Sequence, residues 1–302
     1  MILSYHPCFT GDENRLCAGR SPDDSDRRRM ARADAVILPH GAPQALHIMA
    51  VASCPRVFPD YRARFAYQGK CGQIRLFREI AAPHPETWIY DSLAAYPGDS
   101  RRPFRPPELE LPFIFKFDWG GEGDNVRLIR QPEDLSAALA AAEAFEKTGQ
   151  QGFLLQRRIP AANASLRVVT IDREMLSYWR IQQQGPDEFC AALSRGATVD
   201  AEAWPEHQAV GCAYVKRVCA QTGINLAGFD LLFDASNKGL QPYFLEINYF
   251  FGRKGLGGSL AFYERLNRQI RNWLARNGLP RPEDRSKDRS KDRTENRDIE
   301  PL

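Results

Sequence analysis

The stretch FLEINYFFG, Phe244 to Gly252, combines the apolar pattern of a buried strand with two polar side chains two residues apart. Side chains alternate between the two faces of a strand, so Glu246 and Asn248 are expected on one face together with Phe244. The opposite face would carry Leu245 and Ile247. This strand is therefore predicted to have one apolar face and one face that carries polar groups.

A second strand, LAGFDLLFD, precedes this one, and the connecting segment ASNKGLQ has the composition of a hairpin turn. A hairpin centred on Lys238 would place Asp230 directly opposite Glu246. Two such charges about 4 Å apart repel by about 4 kcal/mol at an effective dielectric constant of 20, so a cation is expected between them. Oxygen atoms of Asp230, Glu246 and Asn248 suit Mg²⁺. The alternative is a solvent-facing strand with unrelated polar residues.

Two glycine-rich segments are candidates for binding phosphate. In IFKFDWGGEGD, Lys116 lies within an apolar strand and is followed by Gly120, Gly121 and Gly123. A lysine on such a strand requires an anion, and a glycine loop lets backbone N–H groups approach phosphate oxygens. The alternative is a hairpin turn beside a lysine that extends to solvent. The second segment, FGRKGLGGS at 251–259, is either a substrate-binding loop or a flexible linker.

Composition excludes several classes of protein. The chain has 302 residues, is 43% hydrophobic and carries a net charge of +3, which favours neither nucleic acid nor an anionic membrane as a partner. Its seven cysteines include no CxxC pair, so neither a zinc site nor a disulfide framework is indicated. No apolar run is long enough for a membrane span. We expect a cytoplasmic protein, and the oligomeric state stays open.

The chain is predicted to divide into three regions. Residues 1–80 contain a small βαβ-like unit, and residues 81–280 contain antiparallel strands covered by helices. The segment 281–302 has almost no apolar residues and balanced charges, which predicts a disordered tail.

The ordered set of motifs resembles the ATP-grasp superfamily. The resemblance rests on Lys116 with its glycine loop, the strand LLQRRI, Arg167 in SLRVVTID, the triplet 228–230, and LEIN before a second glycine loop. It extends from about Lys70 to Trp273 and is similar to peptide-ligase members, such as ribosomal-protein glutamate ligases, and to glutathione-synthetase-like members. It implies an ATP-grasp fold of the α+β and α/β classes. Two α+β lobes would clamp ATP, and a small Rossmann-like α/β domain would precede them.

The resemblance also implies roles for individual residues. The nucleotide-binding residues would be Lys70, Lys116, Gly120, Gly121, Gly123, Gln156, Arg157, Arg158 and Ile159, with Gln156 at the adenine amino group. The triplet Asp230, Glu246 and Asn248 would hold one or two Mg²⁺ ions, with Mn²⁺ as an alternative. Three arginines, Arg167, Arg180 and Arg195, would bind the transferred phosphoryl group or a substrate carboxylate. A surface position is the alternative for these arginines, above all for Arg180.

The implied activity is that of a carboxylate–amine ligase that forms an amide through an acyl phosphate. Its substrates would be small-molecule or peptide carboxylates and amines, whose identity the sequence leaves open. Two other functions remain: an ATP-binding relative with altered catalysis, or a phosphotransferase that acts on a non-carboxylate acceptor. A structural protein whose polar strand face meets a partner is a further alternative.

Overall fold

The computed structural model describes residues 1–120, 125–182, 196–236 and 239–279. Within these ranges the chain forms three β-sheets with helices packed against them. Other predicted features lie outside the described residues, namely Gly121 and Gly123, Arg195, the turn residue Lys238 and the charged tail at 281–302.

The first sheet is parallel. Its strands are β1 (Ile2–Ser4), β2 (Glu13–Asn14), β3 (Ala35–Ile37) and β4 (Val57–Phe58), in the order β2-β1-β3-β4. Helix α1 (Asp24–Arg32) precedes β3 in the chain, and α2 (Gln44–Ser53) connects β3 to β4. The predicted βαβ unit is therefore present, whereas its assignment as a separate domain over residues 1–80 stays a prediction.

Two helices lead from this sheet to the rest of the chain. They are α3 (Arg62–Ala66) and α4 (Gly69–Glu79). Ile74 and Phe77 of α4 are buried in a cluster that contains Val36 of the first sheet and Phe229 farther along the chain. The first sheet thus shares its core with the C-terminal part of the chain.

The second sheet is antiparallel. Its strands are β5 (Thr87–Tyr90), β6 (Phe113–Phe117), β7 (Val126–Ile129) and β8 (Phe153–Arg157), in the order β5-β8-β6-β7. Helix α5 (Pro132–Glu146) begins with a proline and a capping box. Phe113, Phe115 and Phe117 alternate along β6 and share one hydrophobic cluster with α5, so Lys116 belongs to the opposite face.

The third sheet is also antiparallel. Its strands are β9 (Ala164–Ile171), β10 (Glu174–Ile181), β11 (Thr198–Asp200), β12 (Leu226–Phe233) and β13 (Pro242–Asn248), in the order β11-β10-β9-β12-β13. Helices α6 (Pro205–Thr222) and α7 (Gly258–Arg276) cover opposite faces, because they pack into different hydrophobic clusters. Among the described helices, none is both long and apolar enough to cross a lipid bilayer.

A β-bulge in β13 changes the predicted alternation of side chains. The ladder pairs Asp230 with Glu246 and then Leu231 with Phe244, so Leu245 is the extra residue. Phe244 consequently lies in the same hydrophobic cluster as Ile247 and not on the face of Glu246. The prediction that Phe244 and Glu246 share a face is therefore wrong, because one inserted residue reverses the alternation.

Candidate functional site

The carboxylate of Asp230 is held by two arginines. It lies directly opposite Glu246, as predicted, and on its other side it pairs with Arg167 of β9. Arg167 donates through Nε to Oδ1 and through Nη2 to Oδ2, the second at 2.9 Å. Nη2 of Arg180 lies 2.7 Å from Oδ1, and Nδ2 of Asn248 donates to Oδ2 at 3.1 Å. All four lone-pair positions of the carboxylate are thus in use.

The sequence predicted that a cation must offset the repulsion between Asp230 and Glu246. In the structure, arginine side chains supply positive charge at Asp230. Burial disfavours the charged form of Asp230, but the positive charges of Arg167 and Arg180 outweigh burial and lower its pKa. The Arg180 side chain is only 14% exposed, so a surface position for this residue is excluded. Arg180 is distant from Asp230 in sequence and reaches it across β9, where its Nε also donates to Ser165 at 3.2 Å.

Glu246 has a different environment from Asp230. Burial raises the pKa of Glu246, and the negative charge of Asp230 acts in the same direction. The positive charges of Lys70 and Lys116 oppose this rise, which places both lysines near the carboxylate. No described residue donates a hydrogen bond to Glu246. Among the described residues, Glu246 thus differs from Asp230, whose carboxylate accepts four hydrogen bonds.

A glutamine that sequence reasoning missed fixes the backbone between Glu246 and Asn248. Gln73 of α4 donates through Nε2 to the carbonyl oxygen of Ile247 at 2.9 Å. Its Oε1 accepts a hydrogen bond from the Ile247 N–H at 2.7 Å. The side chain thus takes the place of a neighbouring strand at this point. No motif signals this role, because a glutamine on a helix is common.

Lys70 holds the glycine loop that follows β6. Its Nζ donates to the carbonyl oxygens of Trp119 at 3.1 Å and Gly120 at 2.8 Å. The carboxylate of Asp118 accepts a hydrogen bond from the Cys71 N–H at 2.6 Å, at the first turn of α4. A side chain at Gly69 would collide with this carboxylate. The structure therefore brings α4, which carries Lys70, into direct contact with the start of the glycine loop, as far as Gly120.

The second sheet presents Lys116 and Gln156 on one face, away from α5. Ile114 pairs with Gln156, and Lys116 pairs with Leu154 on β8. Gln156 is 2% exposed, and its Nε2 donates to Oγ1 of Thr87 at 2.9 Å. Its Oε1 is the atom that could accept from an adenine amino group. The predicted contact with adenine stays a prediction.

In the segment 157–159, at the end of β8, only some backbone groups are without a hydrogen-bond partner among the described residues and could contact a nucleotide. The Arg157 N–H donates to the carbonyl oxygen of Glu86 at 2.9 Å, and the Arg157 side chain is exposed. Ile159 is buried at 6% exposure. Backbone groups of Arg158 and Ile159 are thus the remaining candidates for the adenine edge.

Within the described residues, no cluster of three or more His, Cys, Asp or Glu side chains could hold a metal ion.

Comparison with known proteins supports the fold and the family. The profile of the RimK-like ATP-grasp domain matches residues 83–260. No curated protein matches the chain in sequence.

Several solved structures share the fold. The ADP complex of purK, N5-carboxyaminoimidazole ribonucleotide synthetase, is 14% identical with a TM-score of 0.60, over 92% of this chain and 70% of that chain. A RimK domain ATP-grasp protein from Sphaerobacter thermophilus is 15% identical with a TM-score of 0.58, over 89% of this chain and 98% of that chain. D-cycloserine synthetase DcsG is 16% identical with a TM-score of 0.52, over 88% and 99%.

Proposed function

The chain belongs to the RimK-like ATP-grasp domain family, and we propose that it is an ATP- and Mg²⁺-dependent carboxylate–amine ligase. The comparisons support an ATP-dependent ligase in general, because similar structures are named as synthetases. In the proposed reaction a substrate carboxylate attacks the γ-phosphorus of ATP, and ADP leaves. An amine then attacks the acyl carbon of the acyl phosphate, and inorganic phosphate leaves.

The observation that carries this proposal is the group of opposite charges around Glu246. Burial raises the pKa of Glu246 on the third sheet, and the positive charges of Lys70 on α4 and Lys116 on the second sheet oppose that rise. Both lysines are buried, and Gln73 of α4 bonds the backbone of Ile247 next to Glu246. These side chains come from three separate elements. A cleft with buried charges of both signs is suited to bind an anion together with a cation.

The donor atoms fit Mg²⁺ in part. Mg²⁺ is bound in proteins through oxygen, commonly by one or two carboxylates together with substrate phosphates. Glu246 has no described hydrogen-bond donor, and Asn248 uses only Nδ2 for Asp230, which leaves Oδ1. Asp230 would have to give up a contact with an arginine to bind a metal. We therefore assign Mg²⁺ first to Glu246 and Asn248, where it would neutralise phosphate oxygens.

The remaining steps rely on positioning by this chain's own residues. Lys70 holds the carbonyl groups of Trp119 and Gly120, where the glycine loop begins. The positive charge of Lys116 would offset negative charge on the transferred phosphoryl group. Arg167 and Arg180 keep Asp230 ionised, and their remaining N–H groups could bind the substrate carboxylate.

The test is an ADP-release assay with panels of amino acids, short peptides and polyamines as acid and amine. We expect ADP and phosphate only when an acid and an amine are both present. Glu246→Gln and Lys116→Met should lower the rate at least a hundredfold, whereas Lys147→Met, at an exposed position after α5, should not. Equal rates for the wild type and Glu246→Gln would refute the assignment.

The occupied lone pairs of Asp230 favour a second candidate, an ATP-binding relative with altered catalysis. Such a protein would bind MgATP with no turnover for any pair of substrates. A phosphotransferase, in contrast, would release ADP without free phosphate. Measurement of ADP and phosphate in the same reaction separates the three functions.

A further inference from the structure

A cavity of about 350 Å³ lies between the first sheet's helices and the end of β13. Its walls are formed by the start of α2, by α3, by the segment between α3 and α4, and by residues 247–250. Small-molecule pockets span roughly 300–1,000 Å³, so this cavity is near the lower limit. It would hold a compound of about the size of an amino acid or a dipeptide.

The cavity adjoins the proposed reaction site. Asn248 lines it and also donates its hydrogen bond to Asp230. Gly69, which precedes Lys70, also lines the cavity. A compound in the cavity would therefore contact Asn248, one of the two residues to which we assign Mg²⁺.

The charged side chain that lines the cavity is positive. Arg64 lines it, and no aspartate or glutamate is among its described lining residues. Arg64 donates to the carbonyl oxygen of Ala42 at 2.9 Å, and its guanidinium lies 4.9 Å from the centre of the Phe65 ring. No described carboxylate forms an ion pair with Arg64. The uncompensated charge favours an anionic group on the ligand.

An aromatic wall completes the cavity. Phe250 lines it and is 73% exposed, which is unusual for a phenylalanine beside a charged site. Its ring stacks on His40 at 5.2 Å between centroids and is thereby held in place. Amide groups of Gln44 and Gln68 also line the cavity. The surroundings thus suit a carboxylate at one end and an apolar group beside Phe250.

We propose that this cavity binds the amine substrate, and that this substrate is an amino acid or dipeptide with its carboxylate at Arg64. The inference rests on the proposed ligase function. The amine attacks in its neutral form, and Arg64 would hold the carboxylate of the same molecule. The nitrogen lone pair forms the C–N bond, the bond from acyl carbon to phosphate oxygen breaks, and the released phosphate takes the proton. Polyamines lack the carboxylate that Arg64 would bind, so we expect them not to bind in this cavity.

The test is calorimetric titration of the MgADP-loaded protein with the twenty proteinogenic amino acids and their glycyl dipeptides. The best binder is then compared with its decarboxylated amine and its desamino acid. We expect the decarboxylated amine to bind at least tenfold more weakly. Arg64→Gln should weaken the best binder at least tenfold, and Arg64→Lys should restore part of the affinity. Phe250→Ala should weaken amino acids with apolar side chains.

Two matched controls separate binding from folding. Arg62→Gln changes an exposed arginine on the same helix, and Leu260→Ala removes an apolar side chain that is 75% exposed. Neither residue lines the cavity, and neither variant should change the affinity. Melting temperatures of all variants report their folding.

Three results would overturn the inference: no binder in either panel, an unchanged affinity for Arg64→Gln, or equal binding of the decarboxylated amine. If the desamino acid alone supports ADP release, the cavity serves the acid and not the amine. Titration with MgATP is performed separately. Amino-acid binding without MgATP binding would refute the ligase function but not the assignment of the cavity as an amino-acid site. MgATP binding without amino-acid binding would refute only the assignment of the cavity.

Discussion

Replacement of Asp230 by asparagine is expected to destabilise the protein strongly, whereas replacement of Glu246 by glutamine is not. The two carboxylates face each other on neighbouring strands, but of the two only Asp230 forms ion pairs with described arginines. The side chains of Arg167 and Arg180 are 8% and 14% exposed. Removal of one partner from a buried ion pair costs about 3–5 kcal/mol, because the other charge stays buried without compensation.

At pH 7, Glu246→Gln should not lower the stability of the protein, in contrast to Asp230→Asn. Because burial raises the pKa of Glu246, the folded protein disfavours its ionised form. Glutamine removes that charge and keeps the shape of the side chain. We expect the free energy of unfolding to be equal to that of the wild type or higher, because a raised pKa means that folding disfavours the ionised carboxylate.

The assay is equilibrium unfolding in urea without nucleotide, followed by tryptophan fluorescence. Asp234→Asn, just beyond the end of β12, is the matched control and should lie within about 0.5 kcal/mol of the wild type. If Asp230→Asn is no less stable than Glu246→Gln, the ion pairs with Arg167 and Arg180 do not have the role assigned here. With MgATP present, Glu246→Gln should lose the stabilisation that the wild type gains from the nucleotide.

The pH dependence of stability should also differ between the two groups. The folded-state pKa of Asp230 is lowered from 3.8, so its stabilising contribution is present above pH 3.8 and is lost as the pH falls through the folded pKa. The folded-state pKa of Glu246 is raised from 4.5, so its contribution is present below pH 4.5 and is lost as the pH rises through the folded pKa. The advantage of Glu246→Gln should therefore vanish below pH 4.5. An advantage that persists in acid would contradict this assignment.

Two further predictions concern α4. Gln73→Leu removes both hydrogen bonds to Ile247 and should lower the free energy of unfolding by about 2 kcal/mol in urea, while Gln151→Leu at an exposed position should not. An unchanged stability would show that the backbone at Ile247 does not need this partner. Gly69→Ala adds a methyl group that collides with the carboxylate of Asp118 and should lower both stability and MgATP affinity. Gly149→Ala, also at positive φ but in open space, should lower stability less and leave MgATP affinity unchanged; equal effects would attribute the loss to backbone strain alone.

Local sequence patterns were sufficient for most elements of the fold. Helix α6 begins at Pro205 and ends before Gly223, as proline at a helix start and glycine just past a helix end indicate. The pairing of Asp230 with Glu246 also followed from the length of the hairpin. The bulge at Leu245 did not, because a bulge changes the register without a distinct residue signature. It alone explains why Phe244 is in the core.

The candidate site was predicted residue by residue, but its electrostatics were not. From the sequence, Asp230 was assigned to the metal and Arg167 and Arg180 to the phosphoryl group or the substrate carboxylate. Arg167 is 63 positions and Arg180 is 50 positions from Asp230, and at such separations the sequence carries no signal of mutual contact. The order of strands decides that they meet: β9 lies between β10 and β12, so both arginines extend toward one carboxylate. The role of Gln73 depends in the same way on where α4 packs.

By itself, the sequence determined the family, the elements and the residues that carry charge, because these depend on composition, periodicity and ordered motifs along the chain. Tertiary structure alone decided which charge compensates which, and it formed the cavity around Arg64 between distant segments. The physical reason is that ion pairs and cavities depend on distances through space, and packing of the three sheets sets those distances.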